Sequence, residues 1–108
     1  MTARISRDEL RELVERKEVT VVDALGEFYW AKQHLPGAFP LVAADVAAKA
    51  PELLPDKDAV IVTYCSNTAC PNSGQVADAL SGLGYTNVRK YAEGIEDWTA
   101  AGLPVETA

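Results

Sequence analysis

Two short β-branched runs limit what this chain can fold into. Val19-Thr20-Val21-Val22-Asp23 and Ala59-Val60-Ile61-Val62-Thr63-Tyr64 hold few polar residues. A strand with one wet face alternates apolar with polar residues, whereas a strand covered on both faces does not. Such runs suit a parallel sheet, whose strands are joined by helical crossovers. Helical patterns do lie between them, so strands and helices alternate and right-handed connections are expected. The reading is a single α/β domain over residues 1–108, an open parallel twisted sheet with helices on both faces.

The other elements follow from local signals. Ser6 can cap a first helix with Glu9 as its reciprocal partner, and Ile5 with Leu10 forms a hydrophobic staple. Leu10, Leu13 and Val14 make its apolar stripe. Glu27 to Lys32 reads as a short helix before the Pro36-Gly37 turn, and Phe39 to Val42 as a brief strand. Ala43 to Ala50 reads as a helix ended by Pro51. Val76, Ala77, Leu80 and Leu83 recur at helical spacing, with Gly84 as a left-handed stop. Asn87 to Tyr91 is a last strand, and Gly94 to Ala101 a last helix carrying Ile95 and Trp98 as core residues.

Composition removes several classes of function. The net charge of -6 over 108 residues lacks the basic footprint a nucleic-acid partner needs. No run approaches a membrane span, and the first residues go straight into a helix without an apolar signal region. A reduced, cytoplasmic setting is the default expectation. Two cysteines are too few for a disulfide framework, and with one histidine they make a poor zinc site. No metal and no cofactor are expected.

Cys65 closes the second run and opens Ser66-Asn67-Thr68-Ala69-Cys70-Pro71-Asn72, after which a helical pattern starts at Ser73. In an open α/β sheet, ligands bind beyond the carboxyl ends of the strands. A thiol there is expected to point into a crevice beside backbone N–H groups and the positive end of a helix. Both favour the thiolate, which is the nucleophile. The plain alternative is a small buried hydrophobe.

Cys70 has two readings that spacing leaves open: an inert residue at the helix approach, or a resolving thiol that closes a disulfide with Cys65. Ser66, Asn67, Thr68, Ala69 and Cys70 form the candidate binding loop, acting through amides and hydroxyls. Ser73 or Asn72 is expected to cap the helix. His34 is either a base beside Cys65 or a structural residue. For Tyr29 and Trp30, packing is favoured over a place at the mouth of the site.

Three patterns together resemble the rhodanese-like sulfurtransferase domain. They are Asp23, Glu27 and His34-Leu35-Pro36-Gly37-Ala38; then Tyr64-Cys65 with Ala77, Leu80, Gly84-Tyr85 and Val88; and last Gly94-Ile95-Glu96-Asp97-Trp98 with Ala101-Gly102-Leu103-Pro104-Val105. The resemblance covers nearly the whole chain and implies an open five-stranded parallel sheet. It also implies that Cys65 takes a sulfane sulfur, holds it as a persulfide, and passes it to a thiol, cyanide or protein acceptor. Asp23 and His34 match structural positions, with Glu27 a second loop-anchoring carboxylate.

The chain departs from the family in its loop, which has neither the usual glycine nor the usual basic residue and is about two residues longer. Leu25 stands where an arginine often follows the aspartate. Without a guanidinium clamp, efficient use of thiosulfate is not expected. The missing arginine also argues against a cysteine phosphatase. Two other functions stay open: a thiol redox or persulfide-reducing switch built on Cys65 and Cys70, and a binding module that keeps the fold without the chemistry.

Overall fold

The computed structural model describes residues 3–107. Its strands are β1 (Ala3–Arg4), β2 (Thr20–Asp23), β3 (Phe39–Pro40), β4 (Ile61–Tyr64) and β5 (Val88–Tyr91). Its helices are α1 (Arg7–Arg16), α2 (Glu27–Lys32), α3 (Val46–Leu53), α4 (Asn72–Gly82) and α5 (Gly94–Ala100). The five strands form one sheet in the order β1-β5-β4-β2-β3, and every pairing is parallel. The two β-branched runs are neighbours in it, with Val22 opposite Thr63 and Asp23 opposite Tyr64.

Because side chains alternate across a strand, the central strands feed two cores. Val22, Ile61 and Cys65 join Val46, Ala50, Val76, Ala77 and Leu80, so this face is covered by α3 and α4. Val21, Val62 and Tyr64 join Leu10, Ile95 and Trp98 on the face covered by α1 and α5. Cys65 thereby points toward α4 while Tyr64 points the other way.

The local signals account for most of the element ends. The Ser6 hydroxyl accepts from the Glu9 amide at 3.2 Å, and Ile5 and Leu10 are buried in one cluster. Glu9 answers through its carboxylate, which accepts from the Ser6 hydroxyl itself (3.1 Å). Gly84 has φ +97°, and the bonds Gly84 N to Ser81 O and Tyr85 N to Leu80 O close α4 as a Schellman motif.

Three expectations differ from the structure. β1 precedes α1 and pairs along β5, so the chain does not enter a helix directly. Ala43–Asp45 is a 3-10 turn, and α3 runs through Pro51 to Leu53. Neither Ser73 nor Asn72 caps α4, whose start has no side-chain cap.

Beyond Pro51 the end of α3 is held from outside. The buried Tyr85 hydroxyl lies 2.6 Å from the Leu54 carbonyl and 3.1 Å from that of Ala50, and donates to this pair. Tyr85→Phe removes this donor and leaves buried carbonyl groups undersatisfied. Its expected cost is about 1–3 kcal/mol in urea unfolding. An unchanged midpoint and slope would show that the hydroxyl does not hold α3.

Candidate functional site

The site lies where β4 ends. Thr63 and Cys65 share a face of the strand, and both meet Ser73 on the first turn of α4. The Thr63 hydroxyl donates to the Ser73 carbonyl (2.9 Å), and Cys65 Sγ lies 3.5 Å from the Ser73 hydroxyl oxygen. Cys65 Sγ is also 3.3 Å from the Cys70 carbonyl oxygen, to which the thiol donates. Ser73 is thus a partner of the thiol, a role its residue type alone did not reveal.

Cys65 is fully buried, so the expected thiol open to a crevice is not what forms. Burial pushes the Cys65 thiol up, and its hydrogen bond to the Cys70 thiol adds to this; the Ser73 hydroxyl and amide pull the other way without prevailing. Cys70 behaves in the opposite sense. Burial raises it too, but the Cys65 thiol, the Asn72 and Ser66 amides and the Ser66 hydroxyl all bond to its sulfur, and together they bring it below the ordinary thiol value. Hydrogen bonding thus favours the charged form of Cys70 more than that of Cys65. Both cysteines are free.

The loop between them is held at both ends. The Asn67 side chain accepts from Ala69 N (2.9 Å), and its carbonyl accepts from Cys70 N (3.1 Å). Its amide nitrogen donates to Glu96 at 3.0 Å. Asn67 therefore shapes the loop, while Thr68 and Ala69 form its exposed tip.

Below the loop, Ile95 N and Glu96 N donate to the carbonyls of Cys65 and Ser66 at 2.9 and 3.0 Å. This docking requires Gly94. Its φ is +72°, and a Cβ there would lie 2.5 Å from both carbonyl oxygens.

Asp23 and His34 anchor neighbouring backbone. Asp23 accepts from Leu25 N (2.8 Å) and from the Tyr64 hydroxyl (2.9 Å), which itself accepts from Leu35 N at 3.1 Å. His34 Nδ1 donates to the Trp30 carbonyl (2.7 Å), its ring stacks on Trp30, and its main chain bridges to Glu106. None of these partners belongs to the cysteine loop. Trp30 is tied into the fold by its bond to the Ala38 carbonyl.

Tyr29, expected to pack, is instead exposed. It lines a cleft of about 460 Å³ with Leu25, Lys32, Ile95, Ser66 and Glu96. The cleft reaches the loop at Ser66, and Cys65 is not among its walls.

Two measurements probe this frame. Gly94→Ala forces strain at positive φ together with a backbone clash, and its expected cost exceeds about 2 kcal/mol. Denaturant unfolding reads this directly, and a variant as stable as the parent would contradict the docking.

Asp23 gives a pH signature. Burial raises its pKa against the opposing bonds from Leu25 and Tyr64. The folded state then binds the proton more tightly, so this contribution is fully present below the usual carboxylate pKa. It is lost as pH rises through the folded value. Asp23→Asn should flatten the fall in unfolding free energy across that window. An unaltered profile would assign the slope to other groups.

Comparison with known proteins gives a consistent picture. The family described as "Rhodanese-like domain" matches residues 6–101. Over 94% of its length the chain is 33% identical to an HTH-type transcriptional regulator of Mycobacterium tuberculosis, of which it spans only 44%. Over 63% of its length it is 32% identical to the thiosulfate sulfurtransferase PspE of Escherichia coli, of which it spans 62%. A crystal structure from Bacillus halodurans is similar with a TM-score of 0.89 at 24% identity, covering 98% of this chain and 77% of that one.

Proposed function

We propose that this chain is a sulfurtransferase, and the premise is its family: the chain belongs to the Rhodanese-like domain family. In this reading Cys65 carries sulfane sulfur as a persulfide and passes it to a thiophilic acceptor, either a small thiol, cyanide or a protein. The observation that carries it is the placement of Cys65 at the end of β4, its Sγ 3.5 Å from the Ser73 hydroxyl on the first turn of α4, with hydrogen bonding from Ser66, Asn72 and Ser73 favouring charged sulfur in the loop. Such a cradle suits an anionic sulfur. The likeness to a thiosulfate sulfurtransferase supports the same chemistry.

The Cys65 thiol gives up its proton as a donor approaches, and the Ser73 hydroxyl and amide, which favour its charged form, receive the thiolate. The Cys65 thiolate attacks the outer sulfur of the donor, a sulfur–sulfur bond forms, and the donor's old bond leaves with its electron pair on the departing group. With thiosulfate that group is sulfite; with a persulfide donor it is a thiolate.

Donor charge matters here. The loop has no arginine or lysine, and Glu96 sits on Asn67 beside it. A helix end offers only about half a charge, and the Lys90 ammonium lies against Gly74 of α4 rather than in the loop, so no guanidinium fork grips a dianion there. Singly charged persulfides are therefore better donors than thiosulfate, and a reduced, cytoplasmic compartment suits two free thiols.

Intact-protein mass spectrometry tests the carrier step. Cys65→Ser should abolish both the donor-dependent gain of one sulfur atom and the transfer of sulfur to cyanide. Transfer at the parental rate by Cys65→Ser would remove the proposal.

A further inference from the structure

The longer loop has a chemical consequence. It places a second thiol of the protein beside Cys65, held there by the bond from Cys70 N to the Asn67 carbonyl (3.1 Å), where hydrogen bonding from Ser66 and Asn72 favours its charged form. Cys65 Sγ is 3.3 Å from the Cys70 carbonyl oxygen, so the two cysteines meet directly, and each thiol shifts the acidity of the other. Cys65 is sealed from solvent, while Cys70 is only partly buried. An external acceptor must displace the loop to reach a sulfur on Cys65. Cys70 is already there.

We propose that Cys70 is the first acceptor of the site: it attacks Sγ of the Cys65 persulfide, closes a Cys65–Cys70 disulfide and expels the sulfane sulfur as hydrosulfide. The proposal rests on the sulfur-carrying role of Cys65. One sulfur–sulfur bond forms, between the two Sγ atoms, and one breaks, between Cys65 Sγ and the sulfane sulfur. The electron pair of the broken bond leaves with the sulfane sulfur as HS⁻. Cys70 loses its own proton to solvent through its partly exposed side and attacks as thiolate.

The sulfane sulfur is thus reduced to sulfide while two protein thiols are oxidised. An external dithiol resets the site by exchange, leaving as its own disulfide. The product of this variant site is then sulfide, and its second substrate is a dithiol reductant.

Holding the attacking group beside its target makes the internal step outrun a free thiol of the same strength. Asn67 supplies that hold, since its side chain and carbonyl fix Ala69 and Cys70.

The test uses the full chain, reduced and freed of reductant, then given glutathione persulfide. The parent should lose two hydrogens in mass, show a Cys65–Cys70 link in its peptides, and release about one sulfide per chain in a single round, with repeated rounds once dithiothreitol is added. Cys70→Ser, with Cys70→Ala as a second variant, should keep the extra sulfur on Cys65 and release sulfide at least about tenfold more slowly.

A parent protein that keeps the extra sulfur, forms no link and releases sulfide no faster than the Cys70 variants would overturn the proposal while leaving the carrier role intact. If neither the parent nor the Cys70 variants take up sulfur or form the link, the carrier role fails and the proposal fails with it.

Discussion

The site depends on one close backbone contact, the first turn of α5 against the carbonyls of Cys65 and Ser66. Only a residue without a side chain lets the two segments approach, and Gly94 supplies it at positive φ. The contact is driven from the far face of the sheet. Trp98 is buried there and its indole donates to the Pro104 carbonyl (2.7 Å), while Asp97 accepts from Tyr91 (2.6 Å) and Arg7 (3.2 Å). These bonds set the height of α5, and α5 sets the position of the loop. Packing on the α1 and α5 side is thereby transmitted through the end of β4 to a thiol on the α4 side.

Within the loop, burial decides which sulfur holds the proton. Both thiols receive hydrogen bonds that favour the charged form, yet only one gains net acidity. Cys65 sits among apolar residues such as Val76 and Ala77, and the Ser73 contacts do not offset that desolvation. Cys70 is less deeply placed and receives more donors, so hydrogen bonding prevails. A single cradle shared by two sulfurs cannot stabilise both as anions at close range, since like charges raise each other. The pair therefore behaves as one acid with the proton on the inner sulfur.

The fold was legible wherever a signal was local. The β-branched runs marked β2 and β4, the alternation of elements predicted a parallel sheet, and Ser6 and Gly84 marked helix ends. What escaped was set by distant partners. β1 is two exposed residues whose only strand signal is their pairing with β5. Pro51 reads as a stop, since nothing nearby announces the Tyr85 hydroxyl, 34 positions on, at the end of the helix. Ser73 and Asn72 looked like caps because their side chains suit that use. In the fold they turn instead to Cys65 and to the Ala24 carbonyl. The position of Cys65 was readable, but its degree of burial was not, because exposure at a strand end depends on how the following loop folds.

Loop length connects the family chemistry to this chain. A cradle of backbone amides holds whatever anionic sulfur is placed in it, regardless of where that sulfur comes from. A shorter loop leaves the place for a substrate's outer sulfur. A loop long enough to fold back on itself can fill the place from within, which is the role proposed for Cys70. The missing basic residue then has a physical rationale. A guanidinium beside Cys70 would attract dianions into the cradle and compete with the internal thiol. In the proposed cycle an uncharged loop, with Glu96 at its side, keeps the cradle for a thiolate of the protein itself. Extra length and absent charge are, in that cycle, two parts of one arrangement, in which the inner thiol is protected and the outer one controls access to it.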